Sequence, residues 1–175
     1  MTAGHPDAGA DLPMLHAALR ARGETVAVAE SVTGGLLAAR LTDTPGASMT
    51  FRGALVVYAT DLKASLAGVP APLLDAQGPV SPDVAAALAA GVRDRLGATY
   101  GVALTGVAGP GLQNGLPAGT VYVAVAGEGA GEVRRLALAG DRAQIRSAAV
   151  DAALSLLGAW LAGRPPRRVT RNTAD

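Results

Sequence analysis

Short apolar segments alternate with segments of helical periodicity along most of this chain, and this alternation limits the folds open to it more than any other feature. The predicted order is helix 11–23, strand 24–30, helix 33–43, strand 51–59, helix 61–68, helix 81–97, strand 99–106, a hairpin of strands 120–127 and 132–140, and helix 141–163. Strands joined through helices form parallel pairs, whereas a hairpin adds antiparallel pairing. The sequence therefore predicts an α/β fold, a three-layer α/β/α sandwich around a mixed, mostly parallel sheet.

The chain of 175 residues has the length of one domain with its own core. We expect a single domain over 11–163, flexible tails at 1–10 and 164–175, and a turn-rich connector at 70–78. The net charge of +1 gives no electrostatic reason to expect nucleic acid or an anionic membrane as a partner. Without a long apolar run or a signal-peptide pattern, we expect a cytoplasmic protein with no membrane partner.

The residue types present narrow the kinds of catalytic site. Cysteine is absent, which removes thiolate catalysis and cysteine-based zinc sites. Both histidines, His5 and His16, lie near the N-terminus, and no acidic cluster has the spacing of metal ligands. We therefore expect no metal and no cofactor. A serine or threonine nucleophile remains, with a lysine or tyrosine as its base.

The basic residues comprise fourteen arginines and a single lysine, Lys63. Codon bias in a GC-rich genome explains the ratio, and a lysine is most often a solvated surface charge. An ammonium group, unlike a guanidinium, loses its proton readily when it is desolvated. Lys63 is therefore a candidate general base, and a surface charge is the alternative interpretation.

Four polar or glycine-rich segments should meet at the carboxyl edge of the sheet, where open α/β folds bind ligands. They are residues 30–35, 58–63, 105–119 and 140–146. Each has an ordinary explanation as a turn, a cap or a site of helix packing, but their convergence favours a functional site. Ser31, at a predicted helix start, is either a nucleophile near backbone N–H groups or an N-cap. Tyr58 and Lys63 are spaced so that both can point at one spot.

Six segments of the chain, in order and without large gaps, resemble the C-terminal domain of the CinA family of competence/damage-inducible proteins. They are "AESVTGGLLAARLTDTPGAS", "GALVVYATDLKASLAGVP", "GPVSPDVAAALAAGV", "LTGVAGPG", "PAGTVYVAVA" and "GDRAQIR". The similarity extends from about residue 12 to 162, and the chain is similar to the stand-alone form of that domain.

The resemblance implies a nicotinamide-nucleotide amidohydrolase of pyridine nucleotide recycling. Such an enzyme converts nicotinamide mononucleotide and water into nicotinate mononucleotide and ammonia. The resemblance also implies a metal-free mechanism in which Ser31 is the nucleophile and Tyr58 and Lys63 are its catalytic partners. The implied assembly is a homodimer.

On this basis we expect Glu30 to orient Lys63 or the ribose of the substrate. Backbone N–H groups near Thr33, Gly34 and Gly35, or in the loop 106–111, are expected to hold the oxyanion. The remaining substrate contacts are expected from the next loop, through backbone donors at Thr105, Gly106, Gly109 and Gly111, and from the last helix at Arg142. Arg142 is either a phosphate ligand or a surface charge.

The chain departs from the family pattern at two positions. Val32 follows the serine where many members have cysteine, and Leu116 ends a shortened loop where members often have lysine. Two other functions therefore stay open beside the deamidase. One is a non-catalytic nucleotide-binding module linked to competence or DNA-damage responses, and the other is an amidase for a different carboxamide.

Overall fold

A computed structural model describes residues 11–164 of the chain, and the predicted tails at 1–10 and 165–175 lie outside the described residues. The order of elements is α1 (Leu12–Arg22), β1 (Val26–Glu30), α2 (Leu36–Thr42), β2 (Phe51–Val56), α3 (Thr60–Ser65), α4 (Ala71–Gln77), α5 (Pro82–Arg95), β3 (Tyr100–Gly106), β4 (Thr120–Gly127), β5 (Ala130–Ala137) and α6 (Arg142–Ala162). A single 3₁₀ turn, Ala47–Met49, precedes β2.

The segment 70–78 was expected to be a connector, and that prediction was wrong, because α4 forms there. Its prolines were interpreted as turn signals. Pro72, however, lies in the first turn of α4, where the backbone N–H that proline lacks would have no partner within the helix.

The five strands form one sheet in the order β2-β1-β3-β4-β5. β1 pairs in parallel with β2 and β3, whereas β4 pairs antiparallel with β3 and β5. The expectation of a mixed α/β sheet is confirmed. Its pairings divide equally between parallel and antiparallel, because the closing hairpin adds β4 and β5 at one edge. β4 alone runs against the other four strands.

The two faces of the sheet carry side chains of different size. One face presents alanines, including Ala27, Ala29 and Ala103, to a cluster that contains α5. The other presents valines and leucines, such as Val28 and Leu104, to a cluster that contains α1, α2 and α6. Small side chains allow a helix axis to approach a sheet closely, so α5 lies tightly against the alanine face.

Helix α6 begins with a capping box that fixes the start of the helix. The Asp141 side chain accepts hydrogen bonds from the backbone N–H groups of Ala143 and Gln144, and the Gln144 side chain accepts one from the N–H of Asp141. By length and composition α6 could cross a membrane, and half of that stretch is buried inside the protein. The cap positions Arg142 and Arg146 on the first turns.

The tight contact between α5 and the sheet gives a stability prediction. A Cβ atom added at Gly101 would overlap the backbone oxygen of Ala89 on α5. We expect Gly101→Ala to lower the free energy of unfolding by about 1–3 kcal/mol through overpacking. Gly158→Ala is the matched control, because a Cβ there meets no heavy atom within 4 Å and alanine favours the helix. Urea unfolding of both variants measures the difference, and equal stability would contradict the packing account.

Candidate active site

The chain turns sharply between β1 and α2, and Ser31 lies at the start of that turn. Its backbone N–H donates to the carbonyl of Leu104 on β3, which ties Ser31 to the end of the sheet. Gly34 and Gly35 have φ values of 62° and 104°, a region that other residues rarely adopt. These two glycines therefore shape the turn, and neither lines the pocket described below.

Glu30 has a different role from the one expected. Its side chain is fully buried, and its carboxylate accepts hydrogen bonds from the backbone N–H groups of Gly35, Leu37 and Ala38 at 2.8–3.0 Å. A negative charge is favourable at these N–H groups, which have no partner within the helix. Glu30 thus holds the start of α2, and the expectation that it orients Lys63 was wrong, because its carboxylate is bound to these N–H groups. A role in orienting the ribose stays a prediction.

Lys63 is the central side chain of the site. It lies on α3, only 1% of its surface is exposed, and its Nζ is 3.0 Å from Ser31 Oγ. The same nitrogen donates to the backbone carbonyls of Val57, at 2.8 Å, and Tyr58, at 3.3 Å. Both carbonyls belong to the segment between β2 and α3, so this segment fixes the amine against the serine.

The environment of Lys63 shifts its protonation equilibrium toward the neutral amine. Burial lowers its pKa from 10.5 to about 8, and the charge of Asp61 opposes this only in part. The ion pairs found among residues 11–164 do not include Lys63. A neutral amine has two N–H groups for the two carbonyls and one lone pair. That lone pair can accept the hydrogen of the Ser31 hydroxyl, so every group in the contact is satisfied.

Tyr58 lies at the rim of the site and not beside the serine. Its side chain is 59% exposed, and its hydroxyl accepts a hydrogen bond from Arg142 Nη2 at 2.8 Å. Arg142 Nη1 donates to the carbonyl of Gly109 at 2.9 Å. Within the described part of the chain, the Tyr58 hydroxyl has no hydrogen bond to Ser31 or Lys63, so Tyr58 contacts the amine through its backbone carbonyl.

A pocket of about 320 Å³ opens above Ser31 and Lys63. Seven of the predicted site residues line it: Ser31, Tyr58, Lys63, Gly106, Gly109, Gly111 and Arg142. The four predicted segments thus converge at the carboxyl ends of the parallel strands. Sequence reasoning missed Pro79 and Val80, which also line the pocket. They lie within the "GPVSPDV" motif, to which no role had been given.

Thr105 and Thr33 do not line the pocket. The Thr105 hydroxyl donates to the carbonyl of Pro79 at 2.7 Å, so it supports the pocket wall and is not available to a ribose. Thr33 is fully buried, and its hydroxyl has no hydrogen-bond partner among residues 11–164. These contacts involve the side chains only, and the expectation that backbone N–H groups near Thr33 and at Thr105 contact the substrate stays a prediction.

His16 is part of the core and is remote from the pocket. Its ring nitrogens contact Thr50 Oγ1 at 2.6 Å and the carbonyl of Leu41 at 2.9 Å, and burial lowers its pKa. Residues 11–164 contain no group of three or more His, Asp or Glu side chains that could hold a metal ion.

Comparison with known proteins places this geometry in a family. Residues 12–161 match the model of the CinA C-terminal domain. A CinA-like protein of Frankia casuarinae is 56% identical over 149 residues, which are 85% of this chain and 34% of that protein. A putative competence-damage inducible protein of Desulforamulus reducens is 46% identical over 142 residues, 81% of this chain and 34% of that protein. The chain thus spans about a third of the length of these relatives.

Solved structures of similar length share the fold. The competence/damage inducible protein CihA from Agrobacterium tumefaciens is 33% identical, with a TM-score of 0.84, and the match covers 91% of this chain and 98% of that one. A CinA superfamily protein from Klebsiella pneumoniae is 32% identical, with a TM-score of 0.84, over 87% of this chain and 96% of that one.

The buried Glu30 carboxylate gives a prediction about stability. Glu30→Gln replaces one acceptor oxygen by an NH₂ group that faces backbone donors, so we expect the free energy of unfolding to fall by about 2–3 kcal/mol. Glu132→Gln on β5 is the matched control, because Glu132 forms only a surface ion pair with Arg134 and its loss should cost under about 1 kcal/mol. Chemical denaturation measures both, and a neutral Glu30→Gln would contradict the capping role.

Proposed function

The chain belongs to the CinA C-terminal domain family, and from that premise we propose that it hydrolyses the carboxamide of nicotinamide mononucleotide. The products are nicotinate mononucleotide and ammonia. The observation that carries the proposal is the buried 3.0 Å contact between Lys63 Nζ and Ser31 Oγ at the base of the pocket. A serine beside an amine whose pKa is lowered to about 8 is equipped for acyl transfer.

In the first step Lys63 removes the proton of the Ser31 hydroxyl as Oγ attacks the carboxamide carbon. The carbon–oxygen double bond opens to an oxyanion, and Lys63 becomes an ammonium group. The carbonyls of Val57 and Tyr58 accept two of its hydrogens. The direct contact supports this transfer without a relay through the Tyr58 hydroxyl.

In the second step the ammonium group of Lys63 gives its proton to the departing nitrogen. The carbon–nitrogen bond breaks, ammonia leaves, and an ester joins the nicotinoyl group to Ser31. Lys63, neutral again, takes a proton from a water molecule that attacks this ester. Lys63 then gives this proton to Ser31 Oγ, the ester bond breaks, and nicotinate mononucleotide is released.

Arg142 is our candidate for the phosphate of the substrate. Apart from Lys63, it is the cationic side chain among the described residues that line the pocket. Its present partners are a carbonyl and a phenol, both neutral, so a phosphate would be the stronger acceptor. Leu116, at the position where relatives often have lysine, is not part of the pocket wall. The homodimer and the cytoplasmic location stay predictions.

The assay for this function is ammonia release from nicotinamide mononucleotide. We expect Ser31→Ala and Lys63→Arg each to lose at least about a thousandfold in kcat, because the nucleophile and its base act as a unit. Ser65→Ala, on the exposed side of α3, is the matched control and should keep full activity. Retention of most activity by Lys63→Arg would rule out a neutral amine as the base.

The same assay distinguishes the other two functions. Binding of the mononucleotide without ammonia release by the wild-type chain would favour a non-catalytic module. Release of ammonia from other carboxamides, but not from the mononucleotide, would favour a different substrate.

The pKa of Lys63 sets the expected pH dependence. Because the active form is deprotonated, kcat/KM should rise about tenfold per pH unit below pH 8 and level off above it. At pH 7 the rate should be about a tenth of the plateau. Rates are measured above pH 6.5, beyond the second phosphate pKa of about 6. A flat profile between pH 6.5 and 9 would contradict the role of Lys63.

The proposed role of Arg142 is tested by whether its replacement changes KM, kcat or both. If Arg142 binds phosphate equally in the ground state and the transition state, Arg142→Ala should raise KM about tenfold or more and leave kcat within about threefold. Arg135→Ala, an exposed arginine on β5, is the matched control. An unchanged KM would assign the phosphate to other groups.

A further inference from the structure

We propose that Arg146 is a positioning residue, which holds the turn after Ser31 so that the free N–H groups of that turn receive the oxyanion. This inference rests on the proposed acyl transfer at Ser31. Arg146 extends from α6 to the turn that carries the nucleophile. Its Nε donates to the carbonyl of Val32 at 3.2 Å, and its Nη2 donates to the carbonyl of Thr33 at 2.7 Å.

Holding a carbonyl fixes the N–H group of the same peptide unit. In a trans peptide the C=O and N–H bonds point in opposite directions. The bond from Arg146 to the Val32 carbonyl therefore directs the N–H of Thr33 away from the guanidinium. The Ser31 carbonyl accepts from the N–H of Gly34 at 3.2 Å, which fixes the N–H of Val32 in the same way.

These two N–H groups are the donors that the turn leaves free. The N–H groups of Gly35, Leu37 and Ala38 are bound to Glu30, and that of Gly34 is bound to Ser31. The N–H groups of Val32 and Thr33 have no hydrogen-bond acceptor within residues 11–164, and Val32 lines the pocket beside Ser31. Donors next to a nucleophile, fixed before the reaction, are suited to an oxyanion.

Arg146 also adds charge to the arrangement. A guanidinium on the carbonyl oxygens of Val32 and Thr33 polarises the peptide groups that carry the N–H groups of Thr33 and Gly34. It strengthens the N–H of Thr33 as a donor to the oxyanion and the N–H of Gly34 as a donor to the Ser31 carbonyl, which in turn fixes the N–H of Val32. Arg146 does not line the pocket and does not contact Lys63, so it acts through the turn alone.

The test uses a fluorophosphonate probe on the full chain, with the labelled residue located by mass spectrometry. Ser31 Oγ attacks phosphorus, the phosphorus–fluorine bond breaks, fluoride leaves, and the serine proton passes to Lys63. The phosphoryl oxygen takes the place of the oxyanion. We expect Arg146→Met to lower the second-order labelling rate of Ser31 at least tenfold, and Arg146→Lys to restore part of it. Arg135→Met is the matched control.

A pH profile separates positioning from a general loss of structure. In Arg146→Met the plateau rate should fall while the midpoint of the profile stays at the wild-type value, because Lys63 is untouched. Labelling of the folded variant at the wild-type rate would overturn the inference, as would a shifted midpoint with an unchanged plateau. If Arg146→Met does not fold, the same readings are taken on Arg146→Lys.

The proposed substrate can be refuted without refuting the role of Arg146. Wild-type chain that labels at Ser31 but releases no ammonia from the mononucleotide would refute the deamidase and leave the role of Arg146 standing. Absence of labelling at Ser31 in the wild-type chain would overturn the inference itself.

Discussion

The burial of one amine beside one hydroxyl is the interaction on which the rest of the site depends. Moving the pKa of Lys63 from 10.5 to about 8 corresponds to about 3 kcal/mol in favour of the neutral form. A carboxylate partner would reverse this, and the ion pairs seen in the described residues do not include Lys63. Burial of the Lys63 amine is costly, and the amine is hydrogen-bonded to two backbone carbonyls and to Ser31. The neighbouring contacts hold that geometry in place.

The sheet brings these groups together from distant parts of the sequence. β1 and β2 are parallel neighbours, so their carboxyl ends present Ser31 and the 57–63 segment at the same edge. On the far side of Ser31, α6 supplies Arg146 to the turn and Arg142 to the rim. Glu30 and Arg146 then bind the same turn from two sides, one through N–H groups and the other through carbonyls. Most polar backbone groups of the turn after Ser31 are consequently hydrogen-bonded. The exceptions are the N–H groups of Val32 and Thr33.

Much of this arrangement was predictable from the sequence, because strand order and chain direction determine which loops meet. The alternation of strands and helices predicted the edge at which Ser31, Lys63 and Arg142 converge, and the solitary lysine indicated a candidate base. The detailed roles of Glu30 and Tyr58 were not predictable. Spacing places a residue near an edge but does not determine which way its side chain points. The buried Glu30 carboxylate is bound to backbone N–H groups, and the Tyr58 hydroxyl lies at the rim of the pocket.

Sequence reasoning missed helix α4, and it could not show which backbone N–H groups near Thr33 stay free, for related reasons. Pro72 resembles a turn signal in sequence, although the first turn of a helix accepts it equally well. Nearly every residue has a backbone N–H group, so the sequence alone does not show which of these groups stay free. That depends on which of them are bound by other groups of the folded chain, such as the Glu30 carboxylate. The chain gave a hint in the "GDRAQIR" motif, whose second arginine, Arg146, had no assigned role before its contacts with Val32 and Thr33 were seen.

The protonation state of Lys63 is open to direct measurement, since the chain has a single lysine. Protein labelled with ¹⁵N at lysine Nζ gives one side-chain resonance, and its chemical shift is followed by NMR from pH 6 to 11. Our account predicts a midpoint at about pH 8, and a change in that midpoint in Ser31→Ala. A midpoint near 10.5, the value of a solvated amine, would contradict the central claim that this lysine is the neutral base beside Ser31.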